Sequence, residues 1–431
     1  MHKDSQALQD LLGDFEKLHP KKIDLGLDRI ERVLKNLGNP QHKLPPTVHV
    51  AGTNGKGSTI AFLRAMAEAQ GLKVHVYTSP HLVSFTERIV LAGHAITEPV
   101  LIDTLNRVIE ANDGNQLSFF EATTAAAFLA FSEHAADLLI LEVGLGGLFD
   151  ATNVVDRPAC VGIAPIDYDH AEFLGRDLAQ IAREKAGIMK RHTPAFSAKQ
   201  ADIVRAVLES EAQKTRCDIS FADEGFRSYA QQGRLVFEDD DELLDLPLPA
   251  LRGAHQVQNA GLAIALAKSL KLDRNAIAKG LENATWPARL QSLTTGKLAR
   301  MAEQAGAELW LDGGHNPHAG MALASGLAEL DAKSPRPLIL IAGMLGNKDA
   351  PGFLDAFDGL AKTLIAVPIP GHAGLLPETL ADIAKGRGMN SFTDENVEAA
   401  LKRALSIKSE IPPRILICGS LYLAGRVLAL D

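Results

Sequence analysis

The chain has 431 residues, 46% hydrophobic and 23% charged, with a formal net charge of −9, which suits two folded α/β domains rather than a disordered chain. The acidic balance argues against nucleic-acid binding by bulk electrostatics. No apolar run approaches the roughly 20 residues of a membrane span, and Met1 to Asp14 has no apolar signal region. Cys160, Cys217 and Cys418 are odd in number and far apart, which fits buried, reduced thiols in a cytoplasmic chain rather than a disulfide or metal framework.

Thr47-Val48-His49-Val50 reads as a short strand running into Ala51-Gly52-Thr53-Asn54-Gly55-Lys56-Gly57-Ser58. An alanine-rich helical pattern from Ser58 to Gln70 follows, with Gly71 placed to close it. Lys73 to Tyr77 alternates like a strand, and the apolar runs Asp137–Val143 and Cys160–Ala164 alternate with helical stretches at Thr123–Glu133 and Leu178–Lys190. That alternation predicts a parallel, doubly wound sheet. Phe226–Tyr229 and Arg234–Glu238 read as short strands, Glu238 to Glu242 as a solvated acidic loop, and Leu246 to Pro249 as an extended connector. A helix is expected from about Gln256 to Leu270. Beyond Arg289 the βα alternation restarts, with strands at Glu308–Leu311, Leu338–Ile341, Thr363–Val367 and Arg414–Cys418. The fold class is thus α/β in two domains. Residues 1–290 form a P-loop-type ATP-binding domain with a mostly parallel sheet and a small β insertion, and residues 291–431 a Rossmann-like domain.

The segment Gly52 to Thr59 carries the sharpest chemical signal. Glycines let backbone N–H groups wrap a phosphate, the helix N-terminus favours negative charge, and Lys56 can neutralise phosphate oxygens. Gly57 separates Lys56 from Ser58, a departure from the strict G-x-x-x-x-G-K-[ST] form; Ser58 or Thr59 can face Mg²⁺. Glu142 ends an apolar strand, where a charge is costly unless paired or metal-bound, so it reads as a Mg²⁺ ligand or as a carboxylate bonded to nearby backbone. His170 falls on a strand-end loop, Asp167-Tyr168-Asp169-His170, and Lys185 on the end of a helical stretch, where a solvated lysine is the ordinary expectation. In the second domain Asn316 and Pro317 read as helix-capping residues, while Asp312 and His315, set among glycines, have no such explanation.

Together these segments resemble the Mur-ligase superfamily and, within it, the bifunctional dihydrofolate synthase/folylpolyglutamate synthases. The matching text runs in order from about Leu11 to the C-terminus. It includes Ile23-Asp24-Leu25-Gly26-Leu27, Gly52 to Ser58, Thr78-Ser79-Pro80-His81-Leu82, Leu141 to Gly147, Asp150-Ala151-Thr152-Asn153, Arg183 to Ile188, Asp312 to Pro317 and Cys418-Gly419-Ser420. The resemblance implies that ATP phosphorylates a substrate carboxylate, the amine of L-glutamate attacks, and phosphate leaves. It implies that Gly52, Thr53, Asn54, Gly55, Lys56, Gly57 and Ser58 hold the phosphates and that Ser79, Glu142 and His170 bind Mg²⁺. It further implies a carbamylated Lys185, ATP contacts from Asn259, Arg289 and Asp312, and His315 near the reacting groups. Asp24, Leu25, Ser118, Phe119, Phe120, Glu121, Phe149, Asp150 and Ala151 match positions that contact dihydropteroate. There Phe119 and Phe120 offer stacking surface, or ordinary core, and Glu121 and Asp150 can read ring donors.

Three positions depart from the family. Leu148 stands where Arg is common, Pro287-Ala288-Arg289 where Pro-Gly-Arg is common, and Asp312-Gly313-Gly314-His315 where Asp-x-Ala-His is common. The expected reaction is ligation of L-glutamate to 7,8-dihydropteroate and to reduced folates by a monomer, without nucleic acid or membrane partners. The competing readings are a synthase that only extends folates, an ATP-binding regulator without ligase activity, and another amino-acid ligase of the superfamily.

Overall fold

The computed structural model describes residues 4–17, 25–371 and 373–430. The chain forms two compact units, Lys3–Ala250 with Val257–Thr285, and Leu251–Gln256 with Trp286–Asp431. The division in sequence therefore falls at Thr285/Trp286, a few residues before the expected 290/291 boundary.

The first unit is built on an eight-stranded sheet. Its order is His94–Ala95, Ile89–Leu91, Val74–Tyr77, Leu138–Glu142, Thr47–Ala51, Cys160–Ile163, Pro194–Ser197 and Asp218–Phe221. The first two strands pair antiparallel and the rest run parallel. Thr47–Ala51 and Leu138–Glu142 are buried along their whole length, as expected for central strands of a sheet covered on both faces. Because Leu138–Glu142 and Cys160–Ile163 flank Thr47–Ala51 on opposite sides, the loops leaving their C-terminal ends converge on one edge, where open α/β sheets bind ligands.

The phosphate-loop helix is Lys56–Ala69, and it lies against Arg274–Asn283. Gly280 makes that close packing possible, because a Cβ there would sit 2.5 Å from the Met66 backbone nitrogen. The predicted small β insertion is a three-stranded antiparallel sheet of Phe226–Gln231, Arg234–Asp239 and Leu243–Pro247. Leu246 and Pro247, read from the sequence as part of a connector, belong to its last strand, since Leu244 and Leu246 bury one face at period two. The acidic run is the hairpin turn before that strand, and Lys268 holds two of its carboxylates, Asp239 at 2.7 Å and Glu242 at 2.8 Å.

The second unit carries a six-stranded sheet in the order Gln291–Ser292, Glu308–Leu311, Arg414–Cys418, Leu338–Ala342, Ala361–Ala366 and Asn390–Thr393. All pairs are parallel except the short edge strand Gln291–Ser292. Its core gathers Trp310, Leu340, Phe353, Phe357, Leu364 and Leu416.

Candidate active site

Gly52 and Gly55 shape the phosphate loop. Gly52 has φ 148°, and a Cβ there would lie 2.7 Å from that of Ala164. Gly55, at φ 87°, is the N-cap of Lys56–Ala69 and lies against Asn259, whose Oδ1 would be 2.4 Å from an added Cβ. A glycine N-cap offers no side-chain acceptor, and a helix N-terminus of that kind suits an anionic ligand. The loop is pinned by Thr53 N donating to the Pro165 carbonyl at 2.8 Å and Thr53 Oγ1 donating to the Asp167 carbonyl at 2.9 Å. Lys56 Nζ donates to the carbonyls of Gly52 at 3.2 Å and Thr53 at 3.4 Å. Ser58 and Thr59 are buried, and Thr59 Oγ1 has no partner among the described residues. An orphaned hydroxyl one turn into this helix fits a site completed by a bound group.

Glu142 ends its strand buried. Its Oε2 accepts the Ser79 backbone N–H at 3.1 Å, and its Oε1 lies 3.9 Å from Lys56 Nζ. Ser79 and Glu142 are thus adjacent. His170, at φ 52°, lies with its Nε2 4.0 Å from Asp169 Oδ2, and both residues line one cleft with Gly52, Thr53, Lys56, Gly144, Gly146 and Lys185. No group of three His, Cys, Asp or Glu side chains forms a metal cage among the described residues. A Mg²⁺ site needs none, because the ion keeps waters and is held by one or two carboxylates plus substrate phosphates. The donor set of Glu142 beside a phosphate loop fits that mode.

Lys185 is where tertiary structure overrides the sequence pattern. At the end of Leu178–Ala186 a lysine would ordinarily be solvated, but this one is buried and donates to the Gly52 carbonyl at 2.9 Å. The reason lies in Gly147, where a Cβ would come within 2.5 Å of the Glu184 carbonyl, so the Gly144–Gly147 loop closes directly over the helix end. Burial, reinforced by the Lys56 ammonium, pushes the Lys185 pKa down to about 7, against the pull of Asp169, Asp150 and Glu184. Its helix neighbour Glu184 is also perturbed: burial raises its carboxyl pKa, and Oε2 has no partner among the described residues.

The residues expected to meet the pterin fall into two kinds. Asp24 lies outside the described residues. Leu25, Leu148 and Phe149 are exposed apolar side chains. Phe119 meets Phe85 edge-on at 6.0 Å, and Phe120 packs beneath Gly144, where a Cβ would be 2.4 Å from its ring. Ser118 and Glu121 form a capping box on Phe119–Glu133, and Glu121 also pairs with Arg29 at 2.9 Å. Asp150 is buried, accepting Leu145 N at 2.8 Å, Thr152 N at 3.0 Å and Thr152 Oγ1 at 2.5 Å. Both carboxylates therefore organise the protein around them, Asp150 by anchoring the loop over Lys185, and Ala151 is buried beside it.

Sequence reasoning missed that His49 Nε2 lies 2.9 Å from Thr152 Oγ1, which itself donates to Asp150. Since the Thr152 proton goes to the carboxylate, His49 must donate through Nε2. Burial lowers its pKa to about 3, so the ring is neutral. A polar residue in an otherwise apolar strand was the available signal.

In the second unit Asp312 ends Glu308–Leu311 and accepts the backbone N–H groups of Leu290 and Gly314, each at 2.6 Å. Arg289 is close to this turn, with Nη1 donating to the Ala288 carbonyl at 2.8 Å and lying 3.2 Å from where a Gly313 Cβ would be. His315 Nδ1 lies 2.9 Å from the Gly313 carbonyl, and Asn316 caps Pro317–Lys333 by accepting from Ala319 N, as expected. Ala288 occupies φ 55°, the left-handed region that favours glycine, which explains why glycine is common there in the family. Arg289, Asp312 and His315 are thus gathered on one strand-end turn.

Residues 50–267 match the Mur ligase middle domain, and residues 297–421 the Mur ligase glutamate ligase domain. The dihydrofolate synthase/folylpolyglutamate synthase of Escherichia coli is 33% identical, over 98% of this chain and 95% of that one. A solved E. coli structure in complex with DHPP and ADP has a TM-score of 0.88 at 30% identity, covering 100% of this chain and 99% of that one. The Yersinia pestis bifunctional enzyme complexed with AMPPNP and Mn has a TM-score of 0.87 at 30% identity, covering 100% and 99%. The site and fold define an ATP-dependent ligase, and the chain belongs to the Mur ligase family, in its dihydrofolate synthase/folylpolyglutamate synthase branch.

Proposed function

We propose that the chain joins L-glutamate to 7,8-dihydropteroate, forming dihydrofolate, and to reduced folates, forming folylpolyglutamates, with ATP cleaved to ADP and phosphate. The observation that carries this reading is the phosphate loop with Lys56, Glu142 and Lys185 around it, in a chain similar to such synthases along its whole length. The substrate carboxylate oxygen takes the γ-phosphoryl group of ATP and ADP leaves. The glutamate amine then adds to the acyl carbon, and phosphate departs carrying the former carboxylate oxygen.

In this reading the loop N–H groups and Lys56 hold the phosphates and stabilise charge as it moves to the leaving oxygen. Glu142, with Ser79 and His170, holds the divalent cation, which when bound neutralises phosphate oxygens. Asn259, which packs against Gly55, contacts ATP, and Arg289, Asp312 and His315 keep the roles toward nucleotide and substrate that the resemblance implies. Leu25, Phe119, Phe120 and Phe149 supply the apolar surface for the pterin, with Ser118 and Ala151 beside it, and Glu121 and Asp150 support that surface through the contacts above. The neutral Lys185 amine adds to CO₂ and loses one proton, becoming a carbamate. Burial supports this, since an amine with a pKa of about 7 is far more available as the nucleophile near neutral pH than an ordinary lysine. The enzyme acts as a monomer in the cytoplasm.

The test follows oxygen. With ¹⁸O in the dihydropteroate carboxylate, the label is expected in the inorganic phosphate released with dihydrofolate. Unlabelled phosphate would overturn the acyl-phosphate route. Mass spectrometry of the intact protein at raised bicarbonate reads the carbamate directly, as a CO₂ adduct lost in Lys185→Ala.

A further inference from the structure

The phosphate loop rests against residues 164–167, the segment that leaves the strand Cys160–Ile163. Thr53 N and Asn54 N both donate to the Pro165 carbonyl, at 2.8 Å and 3.3 Å. Thr53 Oγ1 donates to the Asp167 carbonyl at 2.9 Å and accepts the Asp167 N–H at 3.1 Å. Gly52 packs on the Ala164 peptide, whose carbonyl carbon and oxygen would each lie 3.0 Å from a Cβ on that glycine. The Gly52 carbonyl in turn accepts from Lys56 and Lys185. The position of residues 164–167 therefore sets where the phosphate-binding backbone lies.

Gln200 holds that segment from the neighbouring strand. It lies between the strand Pro194–Ser197 and the helix Asp202–Thr215. Its Oε1 accepts the Ile166 N–H at 3.0 Å, and its Nε2 donates to the Ala164 carbonyl at 3.2 Å and to Ser197 Oγ at 3.1 Å. A backbone N–H can only donate, so the Ile166 bond fixes which end of the amide is oxygen. A carboxylate of the same length could keep the Ile166 bond but could not donate to the Ala164 carbonyl; an apolar side chain could do neither. The two strands are already paired through Val161, Gly162 and Ile163, and Ala198 N donates to the Ile163 carbonyl at 2.8 Å. What Gln200 adds lies beyond that ladder, on the residues against which Gly52 and Thr53 rest.

We propose that Gln200 is a positioning residue for the nucleotide: it holds residues 164–167 so that the backbone of residues 52–55 keeps the curvature that receives the phosphates of ATP. This role rests on the nucleotide reading of the loop and goes beyond it, because Gln200 acts through residues 164–167. Its loss falls on nucleotide binding and spares the pterin side, which other loops form.

MgADP binding to the full-length chain is measured by calorimetry in wild type, Gln200→Leu, Gln200→Glu, Thr53→Val and the Gln200→Leu/Thr53→Val double variant. Steady-state KM values for ATP and 7,8-dihydropteroate are compared alongside. Gln200→Leu and Gln200→Glu are each expected to weaken MgADP by about fivefold or more and to raise the ATP KM similarly, with the dihydropteroate KM within about twofold of wild type. Gln200→Glu keeps the size of the side chain and the Ile166 bond, so it carries the test even where Gln200→Leu fails to fold. The double variant is expected to bind MgADP scarcely more weakly than the weaker single variant, because both substitutions release the same segment. MgADP affinity unchanged in both Gln200 variants, equal rises in the two KM values, or additive losses in the double variant would overturn the role. A wild-type chain that binds no MgADP would overturn the nucleotide reading itself, and this role with it.

Discussion

Glu142 in the first unit and Asp312 in the second are both buried carboxylates at the C-terminal end of a parallel strand, yet they are held differently. Asp312 is clamped by two backbone N–H groups at 2.6 Å, from Gly314 in its own turn and from Leu290, 22 residues back. Glu142 accepts the Ser79 backbone N–H at 3.1 Å and lies 3.9 Å from the Lys56 ammonium. The strand-end position is common to both. What distinguishes them is their setting: Asp312 is tied to the backbone of Leu290 and Gly314, whereas Glu142 lies beside the cation of the phosphate loop.

Substitution sharpens that contrast. Glu142→Gln is expected to lower kcat by about 10²–10³-fold with the melting temperature nearly unchanged, because it weakens the hold on the divalent cation that neutralises phosphate charge. A loss of fold instead of turnover would make Glu142 a structural group. Lys185→Ala should likewise keep the fold and lose most activity, and near-normal turnover in that variant would remove the carbamate. Asp312→Asn presents an amide NH₂ to one of two backbone donors. Urea denaturation should therefore show a loss of about 1–3 kcal/mol, with unfolding of the second unit. Equal stability would mean that the turn does not depend on the carboxylate.

Smaller effects follow from pH and backbone. The folded pKa of Lys185, about 7, lies below its ordinary 10.5, so between those values the unfolded chain binds more protons than the folded one. Stability should rise with pH across that window in CO₂-free buffer, and Lys185→Met should flatten the rise. An unchanged slope would mean that the amine is not buried in solution. Last, Ala288→Gly should stabilise the chain by up to about 1 kcal/mol, because Ala288 sits at φ 55°. Destabilisation there would show that the left-handed conformation is not kept.

Much of the fold was legible because its strands are short apolar runs bounded by glycine-rich turns, as at Thr47–Ala51 and Arg414–Cys418. The phosphate loop was legible for the same reason, since Gly52, Gly55 and Lys56 lie within five consecutive residues. The state of Lys185 was not, because its burial depends on Gly147 closing over the helix end from 38 positions away. Glu121 was hidden likewise, since its partner Arg29 lies 92 residues away. Local pattern reports which residues end a strand, and only packing reports which charges are buried and what they meet.

The most direct test is glutamate-dependent ADP release by the purified chain with ATP and Mg²⁺, comparing 7,8-dihydropteroate with tetrahydrofolate as acceptors. Release with both is the expected result. Release with tetrahydrofolate alone would restrict the enzyme to chain extension, and silence with both, despite ATP binding, would contradict the ligase account.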